Sequence, residues 1–67
     1  MKIYLENLYG FNDGKRAYYR KRGNFCFDFV NDKKYASELT TDEVENIMRH
    51  AQWYKGQYCA ETMGVEE

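Results

Sequence analysis

The side chains best suited to chemistry are two thiols and one imidazole, those of Cys26, Cys59 and His50. A thiol nucleophile needs a base within hydrogen-bond reach and a third group that orients the base. His50 and Cys59 are nine residues apart, which on a continuous helix places them about 180° from each other. Zinc ligands usually come in pairs roughly two to five residues apart, whereas these three residues stand singly. The sequence therefore predicts a non-catalytic protein with no metal site and no cofactor.

A second chemistry, nucleic-acid binding, is suggested by residues 16–30, which hold five aromatic and four basic side chains. Exposed rings stack on bases, and basic side chains neutralise phosphates. The residues that would do this are Lys15, Arg16, Tyr18, Tyr19, Arg20, Lys21 and Arg22. Phe27 and Phe29 share one face of a strand, however, and burying each contributes about 1.5–3 kcal/mol. This is a large share of the total stability of so small a domain. We predict that the phenylalanines pack inward, with nucleic-acid binding as the alternative.

The pairing register of this hairpin decides where its arginines point. A two-residue turn at residues 23–24 would set Arg20 opposite Phe27 and mix arginines with phenylalanines on one face. A three-residue loop at residues 23–25 would set Arg20 opposite Asp28, which separates an apolar face from a charged one. We favour the second register. Its other pairs are Tyr19 with Phe29 and Arg22 with Cys26, and the side chains turned inward are Ala17, Tyr19, Phe27 and Phe29.

Alternation and turn residues define the elements around the hairpin. Residues 2–8 alternate apolar Ile3 and Leu5 with polar side chains, the pattern of a strand with one buried face. Residues 9–15 contain two glycines, an asparagine and an aspartate, which favour a connecting loop. Residues 31–34 favour a further turn after the hairpin.

A helix is predicted after residue 40 by its N-terminal signals. Thr40 and Glu43 have the spacing of a capping box, and Leu39 and Val44 have that of a hydrophobic staple. Gly56 is the expected end, because glycine adopts the left-handed conformation that terminates helices. Continuation through Gly56 is the alternative, at a cost of about 1 kcal/mol. The apolar stripe of this helix consists of Val44, Ile47, Met48 and Ala51, and Tyr54 and Tyr58 continue the stripe if the helix runs that far.

Together these elements predict one α+β domain over residues 1–67. Three antiparallel strands and one helix follow in the order β-β-β-α, and the helix covers one face of the sheet. The C-terminal segment is either a fourth strand or, over residues 59–67, a frayed end.

Trp53 lies apart from the apolar stripe. Projection of a regular helix at about 100° per residue places it about 180° from Val44. Tryptophan and arginine are enriched at the energetic centres of protein interfaces. The alternatives to an exposed Trp53 are a bend in the helix and a C-terminal segment that covers the ring within the monomer. We predict a patch for a protein partner or for a homodimer, formed by Asn46, Arg49, His50 and Trp53. The basic edge of the hairpin is the alternative contact surface for a protein partner.

Charge is unevenly distributed along the chain, although the net charge is only −1. Residues 1–34 carry eight lysines and arginines against four acidic residues (+4), whereas residues 35–67 carry two against seven (−5). Such polarity can steer a partner. The overall balance lacks the basic excess of a general nucleic-acid binder.

Compartment and functional class are predicted from composition. Two cysteines without a preceding apolar leader fit reduced thiols in the cytoplasm, and no apolar run reaches the roughly 18 residues of a membrane span. In size, tyrosine content and charge polarity the chain resembles accessory proteins of bacteriophages and mobile elements, including inhibitors of host nucleases and defence systems. The prediction is a cytoplasmic protein that binds, and thereby inhibits, a host nucleic-acid-handling or defence protein.

Overall fold

The computed structural model describes residues 1–7, 15–24 and 26–67. Where the sequence predicts a turn after the hairpin, a 3-10 turn spans Lys33–Tyr35. The loop predicted over residues 9–15 lies outside the described residues, except for its last position. The strands are β1 (Lys2–Glu6), β2 (Arg16–Gly23), β3 (Cys26–Val30) and β4 (Thr62–Glu66), and the helices are α1 (Thr41–Arg49) and α2 (Ala51–Tyr58).

The described strands form one sheet with the order β3-β2-β1-β4, in which each neighbouring pair is antiparallel. The predicted α+β class and the order of elements along the chain are confirmed. The C-terminal segment forms the fourth strand, since residues 62–66 pair with the whole of β1.

The alternation of β1 separates a covered face of the sheet from an open face. Ile3 and Leu5 are fully buried, and they pack with Ala17 of β2 and Met63 of β4 beneath the helices. Burial of a large aliphatic side chain contributes about 1.5–3 kcal/mol. The central position of β1 in the sheet explains why its inward side chains are the most buried.

The β2–β3 hairpin adopts the register predicted from its charge pattern. Arg20 pairs with Asp28, and the guanidinium donates two hydrogen bonds of 3.0 and 2.9 Å to the carboxylate. One detail of the prediction is wrong, because a bulge at the tip places Gly23, rather than Arg22, opposite Cys26. A bulge adds one residue to one strand, so the register changes only at the tip.

The first helix begins where the sequence predicts. The amide of Glu43 donates to Thr40 Oγ1 at 3.2 Å, and the amide of Thr40 donates to the Glu43 carboxylate at 3.0 Å. This capping box satisfies two amides that have no partner within the helix. Val44 and Ile47 then pack into the core with Leu39. α1 is therefore fixed both by its cap and by buried side chains.

The predicted helix is broken at His50, and its predicted end at Gly56 is wrong. His50 has φ −105° and ψ 24°, and its amide donates to the Ile47 carbonyl at 3.0 Å, which ends α1. α2 starts at Ala51 and continues through Gly56 to Tyr58. The two segments pack differently, because α1 buries Val44 and Ile47 in the core, whereas α2 places Tyr54 and Tyr58 on β3 and lies beside β4.

The second helix ends in a Schellman turn that has cysteine where glycine is usual. The amide of Ala60 donates to the Lys55 carbonyl at 2.9 Å, and the amide of Cys59 donates to the Gly56 carbonyl at 3.4 Å. Cys59 adopts a left-handed φ of 54°, where a Cβ atom costs roughly 1–2 kcal/mol.

The open face of the sheet is covered by its own polar side chains. Glu66 accepts hydrogen bonds from Arg16, Tyr18 and Lys33, each at 2.9 Å. These donors, Lys33 first among them, lower the pKa of Glu66 from 4.5 to about 2. They join β4 to β2 and to the 3-10 turn across the intervening β1.

On the same face, Tyr4 of β1 lies over Gly64 of β4. A Cβ atom at residue 64 would stand 2.5 Å from the Tyr4 hydroxyl oxygen, so the ring keeps this position only over glycine. The Arg16 guanidinium lies 3.9 Å from the centroid of the Tyr4 ring, a cation–π contact. Displacing Tyr4 would therefore also disturb Arg16.

Candidate protein-binding groove

The contact between α2 and β3 is made by aromatic rings. Tyr54 meets Phe27 edge-on with ring centroids 5.6 Å apart, and Tyr58 meets Phe29 in the same way at 5.1 Å. Tyr19 of β2 stacks on Phe27 at 5.1 Å. Pairs of this kind contribute about 0.5–1.5 kcal/mol beyond their buried area. The phenylalanines thus pack against the core, as predicted, although both stay half-buried.

A groove of about 470 Å³ opens between the helices and the tip of the β2–β3 hairpin; it is named the Trp53 groove hereafter. Its floor consists of buried or half-buried side chains, namely Tyr19, Phe27, Leu39, Ile47 and Tyr54. Its rim consists of the more exposed Lys21, Gly23, Cys26, Glu43, Asn46 and Trp53. The groove therefore has an apolar floor and a mainly polar rim.

The segment before α1 positions part of this groove. The Ser37 amide donates to the Tyr19 carbonyl at 3.1 Å, and the Lys21 amide donates to Ser37 Oγ at 2.8 Å. The Leu39 amide donates to the Met1 carbonyl at 2.8 Å. The segment thus lies between the ends of β1 and β2, which sets Leu39 in the floor of the groove.

One part of the rim is an ion pair. Lys21 Nζ lies 3.3 Å from a carboxylate oxygen of Glu43, which joins the hairpin tip to the first turn of α1. The hydrogen bond from the Thr40 amide, followed by the bond from Lys21, lowers the pKa of Glu43. An exposed pair of this kind contributes at most about 1 kcal/mol, and it leaves this part of the rim polar but neutral.

Trp53 forms another part of the rim and is 54% exposed. Its ring meets those of Tyr54 and Tyr58 edge-on, with centroid distances of 5.0 and 6.4 Å. Trp53 is thus the exposed end of a cluster of aromatic rings on α2. A bend in the helix, one of the two alternatives to an exposed Trp53, is present at His50, yet Trp53 remains exposed. The alternative in which the C-terminal segment covers Trp53 is wrong, because that segment pairs with β1.

The four residues of the predicted partner-binding patch divide into two groups. Asn46 and Trp53 both line the groove, one from α1 and the other from α2. Arg49 and His50 are exposed at the junction of the helices and do not line it. His50 Nδ1 lies 2.9 Å from the Asn46 carbonyl oxygen. A carbonyl oxygen can only accept a hydrogen bond, so His50 Nδ1 carries the proton. The imidazole thereby gives the Asn46 carbonyl a hydrogen-bond partner next to the break between α1 and α2.

The arginines of β2 are engaged by acidic residues of the same chain. Arg20 and Arg22 both contact the Asp28 carboxylate, at 2.9 and 3.3 Å. The hydrogen bonds from Arg20 are the main cause of the lowered pKa of Asp28. Arg16 lies 3.7 Å from Glu6 and 2.9 Å from Glu66. The guanidinium groups of the predicted nucleic-acid set therefore face carboxylates on the open face.

The tyrosines of that set are both buried, Tyr18 being 9% exposed and Tyr19 8% exposed. They lie on opposite faces of the sheet, Tyr18 in the polar cluster around Glu66 and Tyr19 in the core. Lys15 is exposed before β2, and Lys21 belongs to the groove rim. The predicted set is thus distributed over both faces of the sheet.

Charges from the two halves of the sequence meet within the fold. Lys33 and Arg16 contact Glu66 on β4, and Lys21 contacts Glu43 on α1. Basic residues from the first half of the sequence therefore form ion pairs with acidic residues on β4 and α1, which lie in the second half.

Cys26 and Cys59 are both free and exposed, one on the groove rim and the other at the end of α2. Among the residues that the structure describes, no group of three or more His, Cys, Asp or Glu side chains is placed to hold a metal ion. In that same part of the chain, no helix is long and apolar enough to cross a membrane.

The sequence pointed separately to the basic hairpin and to Trp53, but it did not show that hairpin residues share a groove with Trp53. Lys21, Gly23 and Cys26 line the groove with it, yet they stand far from it in sequence and carry no periodic signal. The pairing of Lys21 with Glu43 could have been proposed from opposite charge, but only with the packing of α1 on the sheet already known.

Comparison with known proteins finds no family model that matches this chain, no similar curated protein and no similar solved structure. The groove and its residues are thus the basis for a functional proposal.

Proposed function

We propose that this chain is a non-catalytic binding protein that engages a protein partner through the Trp53 groove. The observation that carries the proposal is the side chain of Trp53, 54% exposed beside an apolar floor. Interface hot spots are enriched in tryptophan, lie at apolar pockets and are surrounded by polar contacts that exclude water. The Trp53 groove has this combination of groups.

The lining of the groove favours an apolar anchor on the partner. The floor is aromatic and aliphatic, so an inserted apolar side chain would exchange water for ring and methyl contacts. At the rim, Asn46 and the Lys21–Glu43 ion pair offer donors and acceptors to the edge of the contact. We therefore propose a partner segment that inserts an apolar side chain and covers Trp53.

The proposed setting is the cytoplasm, because both cysteines are free and reduced thiols are typical of that compartment. The proposed partner class is a host protein that handles nucleic acid or acts in defence against mobile DNA. The chain would inhibit it by occluding a functional surface, as accessory proteins of phages and mobile elements do. Small size, charge polarity and tyrosine content support this assignment.

Affinity capture from the source cell, with mass spectrometry of the bound proteins, tests the proposal. Trp53→Ala should weaken capture of the partner by about 30-fold or more, the effect of a hot-spot residue. Tyr35→Ala is the matched control, since Tyr35 is also an exposed ring, at 58%, but lies on the 3-10 turn outside the groove. Circular dichroism should show both variants folded. Equal capture by the wild type and Trp53→Ala would contradict the proposal.

A homodimer through the same surface is the second form of this proposal. Sedimentation velocity over a range of protein concentrations should then show a mass increase that Trp53→Ala abolishes and Tyr35→Ala retains. A chain that stays monomeric at every concentration would exclude the homodimer and leave a different protein as the partner.

Nucleic-acid binding by the hairpin remains the alternative prediction. Contacts to about four phosphates would give a log–log dependence of affinity on salt with a slope of about −3.6 on duplex and about −2.8 on single strands. Titration of labelled oligonucleotides at low salt measures this slope, and absence of binding there would remove the alternative.

A further inference from the structure

We infer that α2 is a lid that undocks as a unit while α1 and the described strands stay folded. None of its eight residues, all of them described, is buried, whereas α1 buries Val44 and Ile47. Within the described chain, no side-chain hydrogen bond caps the N-terminus of α2. Segments with few buried contacts open at free energies below that of global unfolding.

The amino-acid sequence of α2 weakens it further. Gly56 stands inside the helix with nothing within 4 Å of the place its Cβ would take. Glycine is therefore not required there for space, and it lowers helix stability relative to alanine. Cys59 adopts the left-handed conformation that glycine would adopt without strain. Each of these residues favours the undocked state of α2.

Contacts with a strand at the edge of the sheet keep α2 closed. Tyr54 and Tyr58 lie on Phe27 and Phe29, and all four side chains are half-buried. β3 has a described neighbour on one side only, β2. The lid is thus held by half-buried side chains, partly on an edge strand and partly, as for Ala51, against the core.

Both ends of α2 remain anchored when it opens. On one side, His50 has a non-helical backbone and serves as the hinge after α1, which keeps its own cap. On the other side, the Glu61 amide donates to the Glu6 carbonyl at 3.0 Å, and β4 pairs along β1. Opening therefore moves only residues 51–60.

An open lid would take Trp53 and Tyr54 away from the groove and uncover Phe27 and Phe29 as one apolar surface along β3. The opening concerns the free chain, so it does not depend on whether the groove binds a protein.

Native-state amide hydrogen exchange, followed by NMR, tests the lid. The α2 amides should share one protection factor that is lower than those of Ile47 in α1 and Leu5 in β1. Thr40→Ala removes the capping box and should lower the protection of Ile47 and Leu5 about fivefold. The protection of α2 should not change in that variant, because the closed and open states both contain α1.

A second variant acts on the lid itself. Gly56→Ala should raise α2 protection by up to about fivefold, because it stabilises the closed helix. Gly23→Ala is its matched control, since Gly23 also has nothing within 4 Å of its Cβ position but lies outside α2; it should leave α2 protection unchanged. The lid is refuted if α2 amides are as protected as Ile47 and fall with it in Thr40→Ala.

Discussion

The two helical segments follow each other in the chain, yet they are held in the fold by different means. α1 starts with a capping box and inserts aliphatic side chains into the core. α2 lacks any buried residue among its eight, all described, and packs on β3 and against the core through half-buried side chains. One helical pattern in a sequence can therefore contain a segment that stabilises the fold and a segment that the fold supports only loosely.

The two helices also contribute differently to the Trp53 groove. α1 contributes the buried Ile47 to its floor, whereas α2 contributes the exposed Trp53 to its rim. A surface that must exchange water for a partner is drawn from the less stable elements of a protein. Substitutions in the two helices and changes of pH should therefore alter the free energy of unfolding to different extents.

The largest loss of stability is expected from a substitution in the buried face of α1. Ile47→Ala should lower the free energy of unfolding by about 2–5 kcal/mol, because Ile47 is only 9% exposed. Urea denaturation measures the change. In α2, Tyr54→Ala should cost less although it removes more atoms, since Tyr54 is half-buried. A loss in Tyr54→Ala that equals or exceeds that of Ile47→Ala would abolish the distinction between the helices.

A smaller loss of stability is expected from a substitution at the N-terminal cap of α1. Thr40→Ala should lower the free energy of unfolding by about 1 kcal/mol, because it removes the side-chain oxygen that accepts from the Glu43 amide. Thr41→Ala, one residue further on, is the control and should be nearly neutral in urea denaturation. Equal effects at the two positions would show that the cap does not fix α1.

Two substitutions near the C-terminal end of α2 should stabilise the protein. Gly56→Ala and Cys59→Gly should each raise the free energy of unfolding by up to about 1 kcal/mol. The first removes a flexible residue from the helix, and the second relieves a left-handed cysteine. Thermal denaturation followed by circular dichroism should show a higher midpoint for each. A lower midpoint in both variants would mean that α2 is already optimised.

The smallest change in the free energy of unfolding is expected from acid, because the carboxylates concerned are partly exposed and water screens their ion pairs. Glu66 has a pKa of about 2 in the fold against an ordinary 4.5. A carboxylate with a lowered pKa adds stability that is complete above its ordinary pKa and is lost as the pH falls towards its folded pKa. The free energy of unfolding should therefore fall between about pH 4.5 and pH 2.

Urea denaturation across this range tests the effect of acid, and Glu66→Gln should flatten the dependence. Glu43, whose pKa is also lowered, extends the effect to α1, whereas α2 contains no carboxylate. An unchanged pH dependence in Glu66→Gln would show that Glu66 does not anchor β4.

Local patterns predicted much of the fold. Thr40 and Glu43 are close in sequence, so their cap could be recognised without knowing the rest of the molecule. The register of the hairpin was predicted because the pairing of Arg20 with Asp28 also separates its two faces. The bulge at Gly23 escaped prediction, since both registers considered for the hairpin were regular.

A bend in the helix was one of the alternatives, but its position at His50 and the groove could not be predicted, because both depend on contacts between distant elements. Gly56 has the residue type of a helix end, yet the helix continues until Cys59, where the chain turns towards β1. Trp53 was identified by projection of a regular helix. Its neighbours on the hairpin tip depend on the direction that α2 takes after the break, which no local pattern specifies.

The contact of Tyr4 with Gly64 has a consequence for the evolution of related chains. A side chain larger than hydrogen at position 64 would require a smaller residue at position 4, because the two would occupy the same space. In an alignment of related chains, these two positions should therefore change together although they lie at opposite ends of the sequence. Such covariation would identify β4 as the neighbour of β1 from sequences alone.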